Sequence, residues 1–141
     1  MSRSLIAVLV LALLCGCSTY QAVRASNRAR LSKLTIGMSK SDVLNIMGTK
    51  TVRIEGILYP ADRITNPFRS ESLVGKDGTA IEVLYYYTDQ KTTYTREPLS
   101  GTPLANADDE LTPIVFHNGN LIGWGWRALE DVVEKYEIRM R

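Results

Sequence analysis

The first seventeen residues limit what this chain can fold into, because they have the layout of an export signal. Ten apolar residues occupy positions 5–14, the basic residue Arg3 precedes them, and Gly16 follows just before Cys17. A basic start, an apolar middle and a small residue are typical of a segment that is removed after export. The apolar run is too short to span a bilayer, which takes about 20 residues. We therefore expect a signal peptide over residues 1–16, and only the remaining sequence has to form a domain.

The residues around Cys17 also predict how the mature chain is attached. Leu14-Cys15-Gly16-Cys17 resembles the lipobox of bacterial lipoproteins. The resemblance implies cleavage before Cys17, acylation of its thiol and its new amine with fatty acids such as palmitate, and anchoring to a membrane. Ser18 comes next, and in the enterobacterial lipoproteins that this site resembles an Asp there favours the inner membrane. We therefore expect the outer membrane, with the domain facing the periplasm. The alternative is an ordinary secretory signal that contains a cysteine.

Once the signal is removed, the chain has no free thiol. Cys15 leaves with the signal, Cys17 carries the lipid, and the sequence holds no other cysteine. A disulfide, a thiol nucleophile and a cysteine metal site are then excluded, although the compartment is oxidising. Of the 141 residues, 125 remain, which is enough for one domain with one core. We expect a lipidated tether over residues 17–25 and a domain over residues 26–141.

Charge is distributed unevenly along the mature chain. Residues 20–53 contain seven basic residues and one acidic residue, whereas residues 105–141 contain seven acidic and four basic residues. Basic residues close to an anionic bilayer add about 1 kcal/mol each to membrane binding. The basic segment next to the lipid is therefore either attracted to the membrane surface or a solvated helix face. We expect no cofactor and no nucleic-acid partner.

The hydrophobic pattern predicts helices at both ends of the domain with strands between them. A first helix is predicted over residues 26–34 and a second over 39–47, where Ser39 is a good N-cap, Asp42 stands at the capping-box position and Gly48 supplies a left-handed stop. Strands are predicted over residues 51–55, 68–73, 80–88, 111–117 and 121–126, and a final helix over 128–140. Residues 57–66 contain Pro60 and are expected to form a loop or an irregular edge.

This order of elements predicts an α+β fold. Two N-terminal helices pack on an antiparallel sheet of about four strands, a C-terminal helix follows, and the helices lie on one face of the sheet.

A helix motif in the N-terminal half resembles the signature of the SmpA/OmlA lipoproteins. That family includes the small lipoprotein of the outer-membrane β-barrel assembly machinery. The resemblance spans most of residues 26–125, implies two helices against an antiparallel sheet, and is carried by Leu31, Leu34, Gly37, Met38, Ser39, Val43, Leu44 and Gly48, with weaker likeness at 66–68 and 116–121. Thr49-Lys50-Thr51 stands where the family has a proline, and the acidic loop 97–110 and the C-terminal helix are additions. Residues 109–113 and 121–126 look more like those of uncharacterised small lipoproteins with the same domain.

Aromatic residues concentrate on the strands predicted over residues 80–88 and 121–126. If one face of the sheet packs on the helices, the other exposes an aromatic patch, which is favoured at protein interfaces. We therefore predict a partner-binding site made of Tyr86 and Trp124 with the loop acids Asp108, Asp109 and Glu110. The alternative is that the C-terminal helix covers this face and the aromatic residues belong to the core.

The sequence offers little material for catalysis. His117 is the only histidine and adjoins an Asn-Gly turn, and no pair of carboxylates is marked by its spacing. We therefore expect no catalytic residues and no metal site. The resulting hypothesis is an outer-membrane lipoprotein that acts as a non-catalytic protein-binding module in cell-envelope assembly or maintenance. The alternative is a periplasmic enzyme or binder that acts on peptidoglycan, which an exposed cleft with paired carboxylates would favour.

Overall fold

A computed structural model of the chain describes residues 20–54, 62–89 and 110–139. Among the described residues, helix α1 covers residues 20–31, helix α2 covers Lys40–Met47 and helix α3 covers Trp126–Lys135. The strands are β1 (Thr51–Ile54), β2 (Asp62–Thr65), β3 (Arg69–Val74), β4 (Ala80–Tyr87), β5 (Leu111–His117) and β6 (Asn120–Trp124). The predicted fold is confirmed: two N-terminal helices, an antiparallel sheet and a C-terminal helix form an α+β structure.

The six strands form two antiparallel sheets. The larger sheet has the order β3-β4-β5-β6, and β1 pairs with β2 in a separate two-stranded sheet. The near-continuous apolar runs of β4 and β5 belong to the two inner strands, because a strand covered on both faces needs apolar residues at every position. The pairing of β5 with β6 shifts by one residue between Val115 and Phe116, where the ladder has a bulge.

The helices lie on both faces of the larger sheet. Alternation along β4 directs Tyr86 to one face and Tyr85 to the other. The Tyr86 face packs against residues of α2 and of the segments that flank it, including Val43 and Met47. The Tyr85 face packs against α3 through Leu129 and Val132. The expectation that all helices share one face is therefore wrong, since the apolar stripe of α3 covers the second face.

Helix α2 begins and ends where the sequence predicts. The Ser39 hydroxyl accepts a hydrogen bond from the Asp42 N–H at 3.1 Å and donates one to the Asp42 carboxylate at 2.7 Å. At the other end, Gly48 has a φ of 83° and its N–H donates to the Leu44 carbonyl at 2.8 Å. Both the N-cap and the glycine stop are therefore confirmed.

Helix α1 includes residues 20–25, which the sequence assigns to a tether. Its buried stripe contains Arg24 and Asn27, three residues apart, with Leu31 one turn further on. The Asn27 side chain donates to the Tyr87 carbonyl at 2.8 Å, which fixes the helix to the end of β4. Two of these three residues are polar. The hydrophobic pattern of the sequence therefore does not reveal that residues 20–25 pack on the domain.

The segment between α1 and α2 covers the outer edge of β6. The Gly37 N–H donates to the Leu121 carbonyl at 2.8 Å, and the Leu121 N–H donates to the Met38 carbonyl at 2.8 Å. The Lys40 N–H also donates to the Gly119 carbonyl at 2.9 Å. These bonds satisfy the backbone of Leu121 as a neighbouring strand would. The β6 edge is therefore closed around this residue.

Strand β2 lies inside the predicted loop over residues 57–66. It pairs with β1 so that Thr51 is opposite Thr65 and Val52 is opposite Ile64, which is buried. Of the two alternatives predicted for residues 57–66, a loop or an irregular edge, the loop is wrong for residues 62–65, which form a paired strand. This hairpin joins the end of α2 to the start of β3.

Candidate functional site

Tyr86, predicted as an exposed partner-binding residue, is fully buried. It belongs to the core that also contains Met47 and Leu34. Its hydroxyl donates to the Gly48 carbonyl at 3.3 Å, and burial raises the pKa of Tyr86 to about 12. The prediction that Tyr86 is exposed is wrong, because helices cover both faces of the inner strand β4.

The other predicted partner-site residues do not form one exposed surface with Tyr86. Trp124 is the last residue of β6, lies opposite Ile114 and is 36% exposed. Glu110 stands just before β5, and its carboxylate forms an ion pair with Arg24 at 2.5 Å. Its role is therefore to join the start of β5 to α1. Three residues of the predicted sites lie outside the described residues: Cys17, Asp108 and Asp109.

Among the described residues, no strand pairs with the outer side of β3, which is the edge of the sheet opposite β6. The Gly75 N–H donates to the Thr79 carbonyl at 2.8 Å, and hydrogen-bonded pairs alternate along antiparallel strands. This alternation turns the backbone N–H and C=O groups of Ser70, Ser72 and Val74 outward. Such a row of backbone groups is a template for the addition of another strand.

A groove of about 1150 Å³ runs beside this open edge. It exists because α3 packs mainly against β5 and β6, so the α3-facing side chains of β3 remain half-exposed. The half-buried Trp126 and the almost fully buried Tyr85 form its floor, β3 forms one wall, and residues 137–139 form the other. The lining residues are Arg69, Glu71, Ser72, Leu73, Val74, Gly75, Lys76, Tyr85, Trp126, Glu137, Ile138 and Arg139.

The two aromatic residues of the floor have fixed positions. The ring centroids of Tyr85 and Trp126 are 6.0 Å apart. The Tyr85 hydroxyl donates to the Glu71 carboxylate at 2.9 Å, and the Trp126 indole N–H donates to the Leu111 carbonyl at 2.9 Å. Burial and the neighbouring Glu71 raise the pKa of Tyr85 to about 12. The floor is therefore uncharged near neutral pH, with both polar tips already hydrogen-bonded.

Four of the five charged residues in the lining form two ion pairs. The Arg69 guanidinium lies 4.1 Å from the centroid of the Tyr85 ring, and its Nε is 3.0 Å from the Glu71 carboxylate. Across the groove, Lys76 and Glu137 form an exposed ion pair at 2.5 Å. Exposed ion pairs contribute only about 0–1 kcal/mol to stability. The Lys76–Glu137 pair therefore adds little to the stability of the groove.

The described residues contain little that resembles a catalytic centre. His117 lies half-buried at the end of β5, with its ring 5.7 Å from that of Tyr136. Within residues 20–54, 62–89 and 110–139, no group of three or more His, Cys, Asp or Glu side chains is placed to hold a metal ion. No helix in the same ranges is long and apolar enough to cross a membrane.

Residues 14–131, most of the chain, match the model of a protein family. That family, DUF3192, is described as proteins of unknown function. The chain belongs to this family. No curated protein and no solved structure matches the chain. The DUF3192 match includes β3 and the groove floor, Tyr85 and Trp126, but ends before residues 137–139, which form the second wall.

The groove was not predicted, although the sequence contains one sign of it. The β3 sequence Arg-Ser-Glu-Ser-Leu-Val lacks the continuous apolar run of β4 and β5. A strand of this composition in the same sheet indicates an edge with one half-covered face. How much of that face is covered depends on the position of α3, which the local sequence pattern does not predict.

Proposed function

We propose that this DUF3192 protein is an outer-membrane lipoprotein that acts as a non-catalytic protein-binding module in cell-envelope assembly or maintenance. An extended segment of the partner protein binds along β3. The observation that carries the binding proposal is the open backbone edge of β3 directly beside a groove with an aromatic floor. An exposed sheet edge with an adjacent groove is the arrangement at which other proteins bind an added strand.

Lipid attachment is supported by the sequence before Cys17. The basic start, the apolar run and the Leu-Cys-Gly-Cys order are those of a lipoprotein signal.

Strand addition explains why backbone edge and groove occur together. In this mode the peptide backbone bonds to the outward groups of Ser70, Ser72 and Val74, which supplies affinity. Alternate side chains of an added strand point to the same face. Those that face α3 enter the groove above Tyr85 and Trp126, which supplies specificity. A partner segment with an apolar or aromatic side chain at every second position fits these surroundings.

The carboxylates of the groove favour binding over hydrolysis of peptidoglycan. Glycoside hydrolysis needs two carboxyl groups that flank the bond to be cleaved. Glu71 is bound by Tyr85 and Arg69, and Glu137 pairs with Lys76. Each of these carboxylates is therefore already engaged in the structure. Nothing in the described part of the groove favours the peptidoglycan enzyme.

A proline substitution tests the proposed binding mode. Ser72→Pro removes one outward N–H and adds a ring at the edge, which edge strands tolerate when that N–H faces solvent. With a photo-crosslinker at position 70 in intact cells, we expect a discrete protein adduct that Ser72→Pro abolishes and Ser72→Ala retains. Thermal unfolding of both variants should match that of the parent chain.

The control crosslinker sits at Asp131, which is exposed on α3 away from the groove. An adduct from position 70 that persists unchanged in the Ser72→Pro chain would contradict strand addition. The same adduct obtained from position 131 would show that the crosslinking is not specific to β3.

A further inference from the structure

One end of the domain carries a cluster of aromatic rings around a guanidinium group. The Arg24 guanidinium lies 5.8 Å from the Tyr20 ring centroid and 5.6 Å from that of Tyr87. The Phe68 ring is 4.7 Å from the Tyr87 ring, and Phe68 is 42% exposed. We call this cluster of Tyr20, Arg24, Phe68 and Tyr87 the proximal end. It joins the start of α1 to the end of β4 and the start of β3.

The proximal end lies close to the proposed lipid attachment along the chain. Tyr20 follows Cys17 by three residues, and three residues span about 11 Å at full extension. This limit holds for any conformation of the two residues between them. The headgroup region of a bilayer adds about 5–8 Å beyond the hydrocarbon on each side. An acylated Cys17 therefore keeps Tyr20 inside or next to the headgroup layer.

Because helix α1 is fixed to the sheet, the position of Tyr20 near the membrane limits the orientation of the whole domain. The Asn27 and Asn66 side chains donate to each other's carbonyl oxygens at 3.2 and 2.9 Å, and both residues are buried. Asn27 also holds the end of β4 through the Tyr87 carbonyl. Since α1 is fixed to the sheet in this way, the domain cannot turn freely about residues 20–25. The anchor therefore determines which end of the sheet meets the membrane.

The composition of the proximal end suits a membrane interface. Aromatic side chains with polar tips concentrate at the headgroup level of bilayers. Tyr20 and Tyr87 are half-buried, so part of each ring is accessible, and Phe68 exposes an apolar ring beside them.

Basic residues lie on the β1–β2 hairpin that starts at the same end. The hairpin is tied there by the Asn66 N–H, which donates to the Lys50 carbonyl at 3.2 Å. Arg53 and Arg63 stand directly opposite each other on its two strands, and both are exposed. Each arginine lies two residues along its strand from the Thr51–Thr65 pair at the base of the hairpin, which is a distance of about 7 Å.

We infer that the proximal end is a membrane-contact surface: its aromatic rings sit at the headgroup level of the bilayer that holds the anchor, and Arg53 and Arg63 bind anionic lipid headgroups. The inference rests on the proposed lipid anchor. It also orients the partner site. Strand β3 starts beside Phe68 and runs away from the proximal end, so the groove is presented to the periplasm above the membrane surface.

Depth-dependent quenching in vesicles tests this surface. The acylated chain is reconstituted in vesicles of phosphatidylethanolamine and phosphatidylglycerol, with an environment-sensitive fluorophore on Phe68→Cys. The control is Lys76→Cys, in the turn at the far end of β3. Quenching by a lipid-borne quencher should be several-fold stronger at position 68 than at position 76. Thr65→Cys, an exposed site at the hairpin base, is the second reporter if the first variant folds poorly.

The charges are tested in the same vesicles. Replacing both Arg53 and Arg63 with Ser should reduce quenching at position 65, as should high salt, which screens the attraction. Lys135→Ser, at the end of α3, is the matched control and should change nothing. Equal losses in the double variant and in the control would contradict a specific role for the hairpin.

Two controls separate this inference from the proposed function. Mass spectrometry first establishes the acylated Cys17 terminus, and an unmodified terminus would overturn the lipoprotein proposal itself. With acylation established, equal quenching at positions 65, 68 and 76 would overturn only the membrane-contact surface. A crosslinker at position 68 that yields a protein adduct rather than a lipid adduct in intact cells would overturn it too.

Discussion

The two edges of the four-stranded sheet differ in how their backbone groups are satisfied. At β6, Gly37 and Met38 bond to both backbone groups of Leu121, so a segment from the N-terminal half takes the place of a fifth strand. At β3, which pairs with β4 in regular register, no described segment bonds in this way to Ser70, Ser72 or Val74, although just beyond the strand the Lys76 N–H donates to the Tyr136 carbonyl at 3.0 Å. Proteins generally block long exposed edges with bulges, prolines or covering loops, because open edges recruit other chains. The partner segment proposed above would use this edge, which the described residues leave open beside the groove.

The largest expected difference between the edges is in stability. Leu121 is fully buried in β6, whereas Leu73 is half-exposed in β3. We expect Leu121→Ala to lower the free energy of unfolding by about 2–5 kcal/mol, and Leu73→Ala by about 1 kcal/mol. Urea unfolding of residues 20–141, prepared without the anchor, measures both values. Equal losses would mean that the β3 edge is as well covered as the β6 edge.

A smaller difference is expected for one serine at each edge. Ser39 caps α2 and forms a bridge to Asn120 at the closed edge, whereas Ser70 is exposed at the open edge. Ser39→Ala should cost about 1 kcal/mol because it removes the N-cap. Ser70→Ala should change stability by about 0.5 kcal/mol or less. Thermal melts compare the two variants. If Ser70→Ala lowered stability as much as Ser39→Ala, the two edges would not differ as we expect.

The parts of the fold that the sequence predicts are those with strong local signals. Helix α2 has a capping serine and a terminal glycine, and β4 and β5 have long apolar runs. Strand β2 was missed because its segment has no clear period and lies between Pro60 and Pro67. Residues 20–25 of α1 were missed because the residue that they bury, Arg24, is polar, as is the buried Asn27 one turn further on. Their burial depends on partners that are distant in the sequence, Glu110 and Asn66.

The candidate site depends on topology more than on motifs. The apolar run of β4 was itself a sign that both of its faces are covered, and this argues against an exposed Tyr86. The β3 groove follows from two facts that local patterns do not contain. One is that β3 is at an edge of the sheet, and the other is that α3 packs toward the opposite edge. Only the three-dimensional arrangement brings Tyr85, Trp126 and residues 137–139 together.

Hydrogen exchange of individual backbone amides tests the difference between the two edges most directly. In the free domain, residues 20–141, the Ser72 N–H points outward from β3, while the Leu121 N–H is bonded to the Met38 carbonyl. Exchange resolved by NMR should therefore be fast at Ser72 and slower by orders of magnitude at Leu121, because exposed amides need no opening of the structure. Similar strong protection at both amides would contradict an open β3 edge and, with it, the proposed binding site.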